Sequence, residues 1–349
     1  MGSFIWFAIA AWLAGPSVFA TDDVKPWLAR ITADYAASVT VLDAGDRYLL
    51  SDDDSSWEAM RSKTAGMAAR LRETIAAVPA PLTDELDVPL YRIRRQAEQL
   101  EVVATRIERA HAARAELDAA SERPVEPAAA QATEACAGFY LKTLSAALGA
   151  PCPSCLKSDG GKLARAVSPA EALDLFGYVS REGAIPFHAI DGGCFARAHA
   201  MSYLLEKKGV YSRKIFVHGN LDVKSKWAAS GEAKWWFHVA TLVRVDFPGK
   251  GPVDMVFDPS LSSCPLTVQQ WTSTLTPQKC SMVAARRVPE DDAGDACQTF
   301  TTERFHYNIS MPLGETSWRQ LYLGAMGDEL ASFRELERKL VLGHKGGAH

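Results

Sequence analysis

A chain of 349 residues, 48% hydrophobic and 23% charged, is long enough for about two domains with sizeable cores. A formal net charge of −4 supplies no bulk positive field for nucleic acid or an anionic membrane.

Residues 4–14 form an apolar run too short to span a bilayer, and Val18-Phe19-Ala20 follows as a small-residue cleavage pattern. We read residues 1–20 as a signal peptide, although no Lys or Arg precedes the run; a short N-terminal anchor is the alternative. This reading implies a secreted or periplasmic protein, with no membrane contact beyond the signal segment.

Residues 21–121 read as helical. Leu28, Ile31, Tyr35 and Val39 share one helix face. Ser56 is placed to cap a second helix bearing Met60, Thr64, Met67, Leu71 and Ile75. A third helix starts near Asp87-Val88-Pro89, with proline in its first turn. Along it Leu90, Ile93, Ala97, Leu100, Ala104 and Ile107 keep a 3–4 spacing. The pattern predicts an antiparallel helical bundle, serving as a removable pro-region or a docking module.

Residues 122–167 read as linker and cysteine-containing connector. Ser121 to Ala130 has linker composition, a short apolar helix carries Phe139, Leu141, Leu144 and Leu148, and Ala150 to Cys155 is a rigid loop. Ser168-Pro169-Ala170-Glu171 reads as a capping box opening a helix to Val179, where a catalytic domain of residues 168–342 begins.

In Asp191-Gly192-Gly193-Cys194 two glycines break the local structure, and Phe195 to Lys208 then reads as a helix closed by Gly209. Cys194 therefore falls at a helix N-terminus, where unpaired N–H groups favour thiolate over thiol. Trp235 to Val243 reads as a strand with His238 near its start. Val253 to Pro259 reads as the next strand, ending at Asp258, and Phe247 to Pro252 is turn chemistry. An antiparallel hairpin puts Asp258 a few positions from His238 across the ladder. Cysteine, histidine and carboxylate then form a nucleophile–base–orienter set. Gly193, Trp235, Trp236 and His188 are candidates to contact substrate. His218 is a weaker one at a strand end. His199, five positions beyond Cys194, points away from it. Phe300 to Ile309 reads as a further strand, Trp318 to Leu342 as one or two helices, and residues 343–349 as a disordered tail.

Seven cysteines in an exported chain leave one over, and by context it is Cys194. Cys136, Cys152, Cys155, Cys264, Cys280 and Cys297 are free to form disulfides, in a pairing the sequence leaves open. Cys152-Pro153-Ser154-Cys155 lacks the βαβ surroundings of a redox pair, and no second close Cys or His pair completes a zinc site.

Ile185-Pro186-Phe187, Asp191 to His199, His218-Gly219-Asn220-Leu221, Trp236 to Ala240 and Asp258-Pro259-Ser260-Leu261 together resemble the protein-glutaminase, or protein deamidase, family. The resemblance covers about Ser168 to Trp271. It departs from the usual pattern in the second glycine before the cysteine. It implies an α+β catalytic domain of the papain/transglutaminase-like fold, with the cysteine-bearing helix packed on an antiparallel sheet. Cys194 would be the nucleophile, His238 the base and Asp258 the orienter. The implied reaction hydrolyses the side-chain amide of protein-bound glutamine, on protein or peptide substrates with exposed glutamine, with no metal or organic cofactor. The same three groups also suit a cysteine endopeptidase or a transglutaminase, and a non-catalytic protein-binding module is the reading outside enzymes.

Overall fold

The structure is a computed structural model. It describes residues 23–51, 53–79, 86–125, 165–228, 230–247, 249–289, 294–313 and 320–346. The expected signal peptide, most of the expected connector, and Cys136, Cys152 and Cys155 lie outside the described residues.

The chain divides into two compact units, Met1–His111 with Arg319–Gly324, and Ala112–Trp318 with Ala325–His349. The first boundary falls inside a helix whose apolar spacing continues across it. Periodicity marks where a helix runs, but not which neighbours each part packs against.

In the first unit lie α1 (Val24–Leu49), α2 (Trp57–Ala77) and most of α3 (Asp87–Glu122). The six apolar positions expected on α3 are all buried. The face of α1 is different. Its buried stripe runs through Ile31, Asp34, Ser38, Val41 and Gly45, while Leu28 and Tyr35 are only partly buried and Val39 lies outside it. Hydrophobicity could not locate this stripe because two of its members are polar. Asp34 is tolerated there because Arg70 Nε and Thr74 Oγ1 donate to its two oxygens, at 2.8 and 2.7 Å. Ser56 stands at the N-cap of α2, but its side chain makes no capping bond.

The second unit is built on a six-stranded sheet of order β4-β3-β2-β1-β6-β5. Its strands are β1 (Arg213–Lys224), β2 (Glu232–Phe247), β3 (Gly251–Phe257), β4 (Leu266–Thr267), β5 (Ser281–Met282) and β6 (Gln298–Glu303). All pairs are antiparallel except β5 with β6. The helices of this unit are α4 (Pro169–Ser180), α5 (Cys194–Lys207), α6 (Val268–Leu275) and most of α7 (Gln320–Gly346). Alternation along the strands supplies two apolar faces. Phe216 and Val239 cluster with Cys194 and Ala198 of α5, while Ile215, Val217 and Ala240 cluster with Trp271 and Leu275 of α6. The sheet thus carries the cysteine-bearing helix on one face and α6 on the other.

Ser168 caps α4 by accepting from the Glu171 N–H at 3.1 Å. The reciprocal half of the expected box is not made, because the Glu171 carboxylate is taken by Arg165. The strand expected over Phe300 to Ile309 ends at Glu303, where the chain turns away and the His306 carbonyl accepts from buried Lys214. Helix α7 is single and continues to Gly346, past the expected start of a disordered tail. Extending an existing helix adds one backbone bond per residue fixed, so a late glycine need not end it.

Cys280 and Cys297 are joined in a disulfide that ties the start of β5 to the start of β6. Cys264 is disulfide-bonded as well. Cys194 is a free cysteine.

Candidate active site

Cys194 opens α5, and Gly193 is the N-cap, in the left-handed region at φ 68°. The thiol therefore stands where the unpaired N–H groups of the first helical turn gather, the end of a helix that favours negative charge. The turn is covered by α7. A Cβ on Gly192 or on Gly193 would lie 2.7 Å from a ring carbon of Phe333. The second glycine, the departure from the family pattern, has a physical reason here, since the Phe333 ring occupies the space beside both.

This yields a stability prediction with an internal control. Gly209, at φ 73° with open space around it, should lose roughly 1 to 2 kcal/mol on change to Ala, from conformation alone. Gly193→Ala adds the contact with Phe333 and should lose clearly more in urea unfolding. Equal losses would show that the ring moves aside freely.

His238 lies on β2 and Asp258 immediately after β3. In the ladder Thr241 pairs with Phe257, so the hairpin brings the two together as its turn chemistry predicts. His238 Nε2 lies 2.8 Å from Asp258 Oδ2, and both side chains are almost wholly buried. Cys194 acts on the same imidazole and favours its charged form. Burial alone would push the imidazole toward its neutral form. The Asp258 charge and hydrogen bond outweigh burial, Cys194 adds to them, and the pKa is raised to about 9. Asp258 is likewise penalised by burial, but His238, Trp271 and Arg197 hold its pKa below the usual carboxylate value.

Trp271, on α6, was not singled out from the sequence. Its Nε1–H donates to Asp258 Oδ2 at 2.9 Å, giving the carboxylate a second fixed partner. The local signal was the capping box of α6, in which Thr267 accepts from Gln270 N–H and the Gln270 side chain accepts from Thr267 N–H. That box sets the start of the helix, and Trp271 follows one residue later. Trp235 stacks on the His238 ring, with centroids 4.7 Å apart and planes at 19°. Trp236 packs instead against the apolar cluster containing Cys194, beside Phe237.

The other histidines are placed differently. His188 is held by α7, its backbone N–H donating to Glu337 Oε1 at 2.7 Å and its Nδ1 lying 3.0 Å from the same oxygen. His218 is buried near Phe300 and does not line an open cleft. The Nδ1 of His199 lies 2.8 Å from the Nζ of Lys214. Burial drives the Lys214 amine well below its ordinary pKa, and the contact ties α5 to β1. Among the described residues, no group of three or more His, Cys, Asp and Glu could hold a metal ion.

The helix-borne cysteine and the histidine–aspartate pair of the β2–β3 hairpin are built on an α+β fold whose sheet is mainly antiparallel. Residues 172–275 match the model of a family described as glutaminase, and this stretch contains Cys194, His238, Asp258 and Trp271. This match covers less than a third of the chain. No curated protein matches the chain. Solved structures similar to it include the following three. The A47Q2 mutant of pro-protein-glutaminase is 25% identical, over 43% of this chain and 53% of that one, with a TM-score of 0.34. Pro-protein-glutaminase is 23% identical, over 52% and 62%, at 0.39. Protein-glutaminase from Chryseobacterium proteolyticum is 23% identical, over 49% and 89%, at 0.38. The match therefore spans about half the length of the first of these chains.

Proposed function

We propose that this protein is a protein deamidase that hydrolyses the side-chain amide of protein-bound glutamine, with Cys194, His238 and Asp258 as its catalytic groups. The observation that carries the reading is the 2.8 Å His238–Asp258 pair, whose imidazole charge a free cysteine at a helix N-terminus also favours, all inside the segment that matches the glutaminase family.

The Cys194 thiolate attacks the carboxamide carbon, and the backbone N–H of Cys194 stabilises the oxyanion. Collapse breaks the C–N bond, and the His238 imidazolium gives its proton to the departing ammonia. Neutral His238 then takes a proton from water, whose oxygen attacks the thioester carbon. The C–S bond breaks, leaving glutamate and regenerating the thiolate–imidazolium pair. Asp258, fixed by Trp271, orients the imidazole throughout. Gly193, Trp235, Trp236 and His188 are proposed to border the substrate.

The test is ammonia release from a glutamine peptide whose chain stays intact. Chain cleavage would indicate a peptidase, transfer to an added amine would indicate a transglutaminase, and no turnover would leave a binding module. Export of the enzyme is part of the proposal. Among the described residues no helix is long and apolar enough to cross a membrane.

A pH dependence follows from His238. Its charged form is the acid that protonates ammonia, and that form persists up to about pH 9. kcat/KM should therefore hold through neutral pH and fall as pH rises through about 9. A limb near the ordinary histidine value would show that Asp258 does not hold the charge in solution.

A further inference from the structure

The motif Cys194 to His199 contains an arginine that the mechanism above does not use. Arg197 is only 2% exposed, one turn along α5 from the nucleophile. Its Nη1 donates to two carbonyls of the loop that delivers Cys194, Ala189 O at 2.9 Å and Gly192 O at 2.7 Å. Its own N–H donates to Gly193 O at 3.0 Å. The guanidinium therefore spans the base of the turn whose end is the left-handed Gly193. Its Nη2 is buried without a hydrogen-bond partner. No ion pair to Arg197 is formed among the described residues, so a full cation is enclosed with no dedicated counter-charge. An unpaired buried cation is costly, and it persists where surrounding groups of opposite charge compensate it. Burial works against the charge here, and the groups opposing it are, in order, Cys194, Asp258, and Glu337 and Glu329 from α7.

We infer that Arg197 is a positioning residue for the deamidation site: it clamps the Gly192–Gly193 turn that aims the Cys194 N–H and Sγ, and it is the fixed positive charge that the Cys194 thiolate balances. The inference rests on the reading of Cys194 as nucleophile. The two functions separate by chemistry. Clamping needs a donor nitrogen at the reach of Nη1, one bond beyond where a lysine amine ends, whereas the charge needs only a cation.

The experiment uses the full chain and two variants, Arg197→Met and Arg197→Lys, with two readouts. One is ammonia release from the glutamine peptide. The other is alkylation of Cys194 by iodoacetamide across pH, which reports the thiolate whatever the enzyme's substrate is. Arg197→Met should lose about 10²-fold in kcat with KM little changed, since a misplaced oxyanion donor costs on that order. The acidic limb of its alkylation profile should move up, the direction expected when a nearby opposite charge is lost. Arg197→Lys should restore the acidic limb while recovering only part of kcat. Unchanged kcat and an unmoved limb in Arg197→Met would overturn the inference. If Arg197→Met does not fold, Arg197→Lys decides alone, and native kcat in that variant overturns the clamp. Failure of the functional reading looks different, because the native chain would then release no ammonia while its alkylation profile still responded to Arg197.

Discussion

Cys194→Ala is expected to reduce ammonia release from a glutamine peptide to the background rate, a loss on the order of 10⁶-fold, the scale found when a hydrolase triad loses its nucleophile. The change removes one sulfur from a buried site and leaves the N-cap turn, α5 and the sheet contacts in place, so the fold should persist by circular dichroism and by cooperative unfolding. His238→Ala should be nearly as severe, because the same imidazole supplies the proton to ammonia and later removes one from water. The groups act as a unit, so the double variant should be little worse than either single one. Near-full ammonia release by a folded Cys194→Ala protein would sink the assignment.

Asp258→Ala should lose between about 10² and 10⁴-fold in kcat, less than loss of the nucleophile because Cys194 and His238 both remain. Three changes add up. The imidazole loses the partner at 2.8 Å that orients it. Its charge is no longer favoured against burial, so the alkaline limb should move down from about 9. The Trp271 Nε1–H, donating to the same oxygen at 2.9 Å, is left without its acceptor. Trp271→Phe makes a milder comparison, since the carboxylate keeps its contact with His238. A downward-shifted limb in Asp258→Ala together with retained kcat would show that the carboxylate sets the charge but not the geometry. An unmoved limb would remove Asp258 from the site.

Much of this arrangement was legible in local sequence, because local chemistry specifies it. Two glycines before a cysteine and an apolar helix can be read as a turn and an N-terminus without knowing what lies opposite. The aromatic and β-branched run of β2, the Pro/Gly turn and Pro259 after Asp258 specify a hairpin, and hairpin register is set by its own turn. His238 and Asp258 therefore approach each other through local chain geometry alone. The six apolar positions of α3 follow from one period and are all buried. Other features depend on partners remote in sequence. Nothing near Asp34 announces that Arg70 and Thr74 will satisfy it. The disulfide partner of Cys280 could not be chosen among the available pairings until the alignment of β5 with β6 brought Cys297 beside it.

The sequence by itself determined the chemical types and their order: a cysteine at a helix start, a histidine and an aspartate across one hairpin, and a glutaminase-like set of motifs around them. Only the tertiary structure decided what surrounds those groups. Phe333 fills the space beside Gly192 and Gly193, Trp271 fixes Asp258, and the Arg197 guanidinium spans the Ala189 and Gly192 carbonyls. The physical reason is the range of the forces. Turn, cap and period preferences act over a few residues. The shielding, charge balance and hydrogen bonding of a buried site come from whichever side chains the packed helices and sheet bring within a few ångströms.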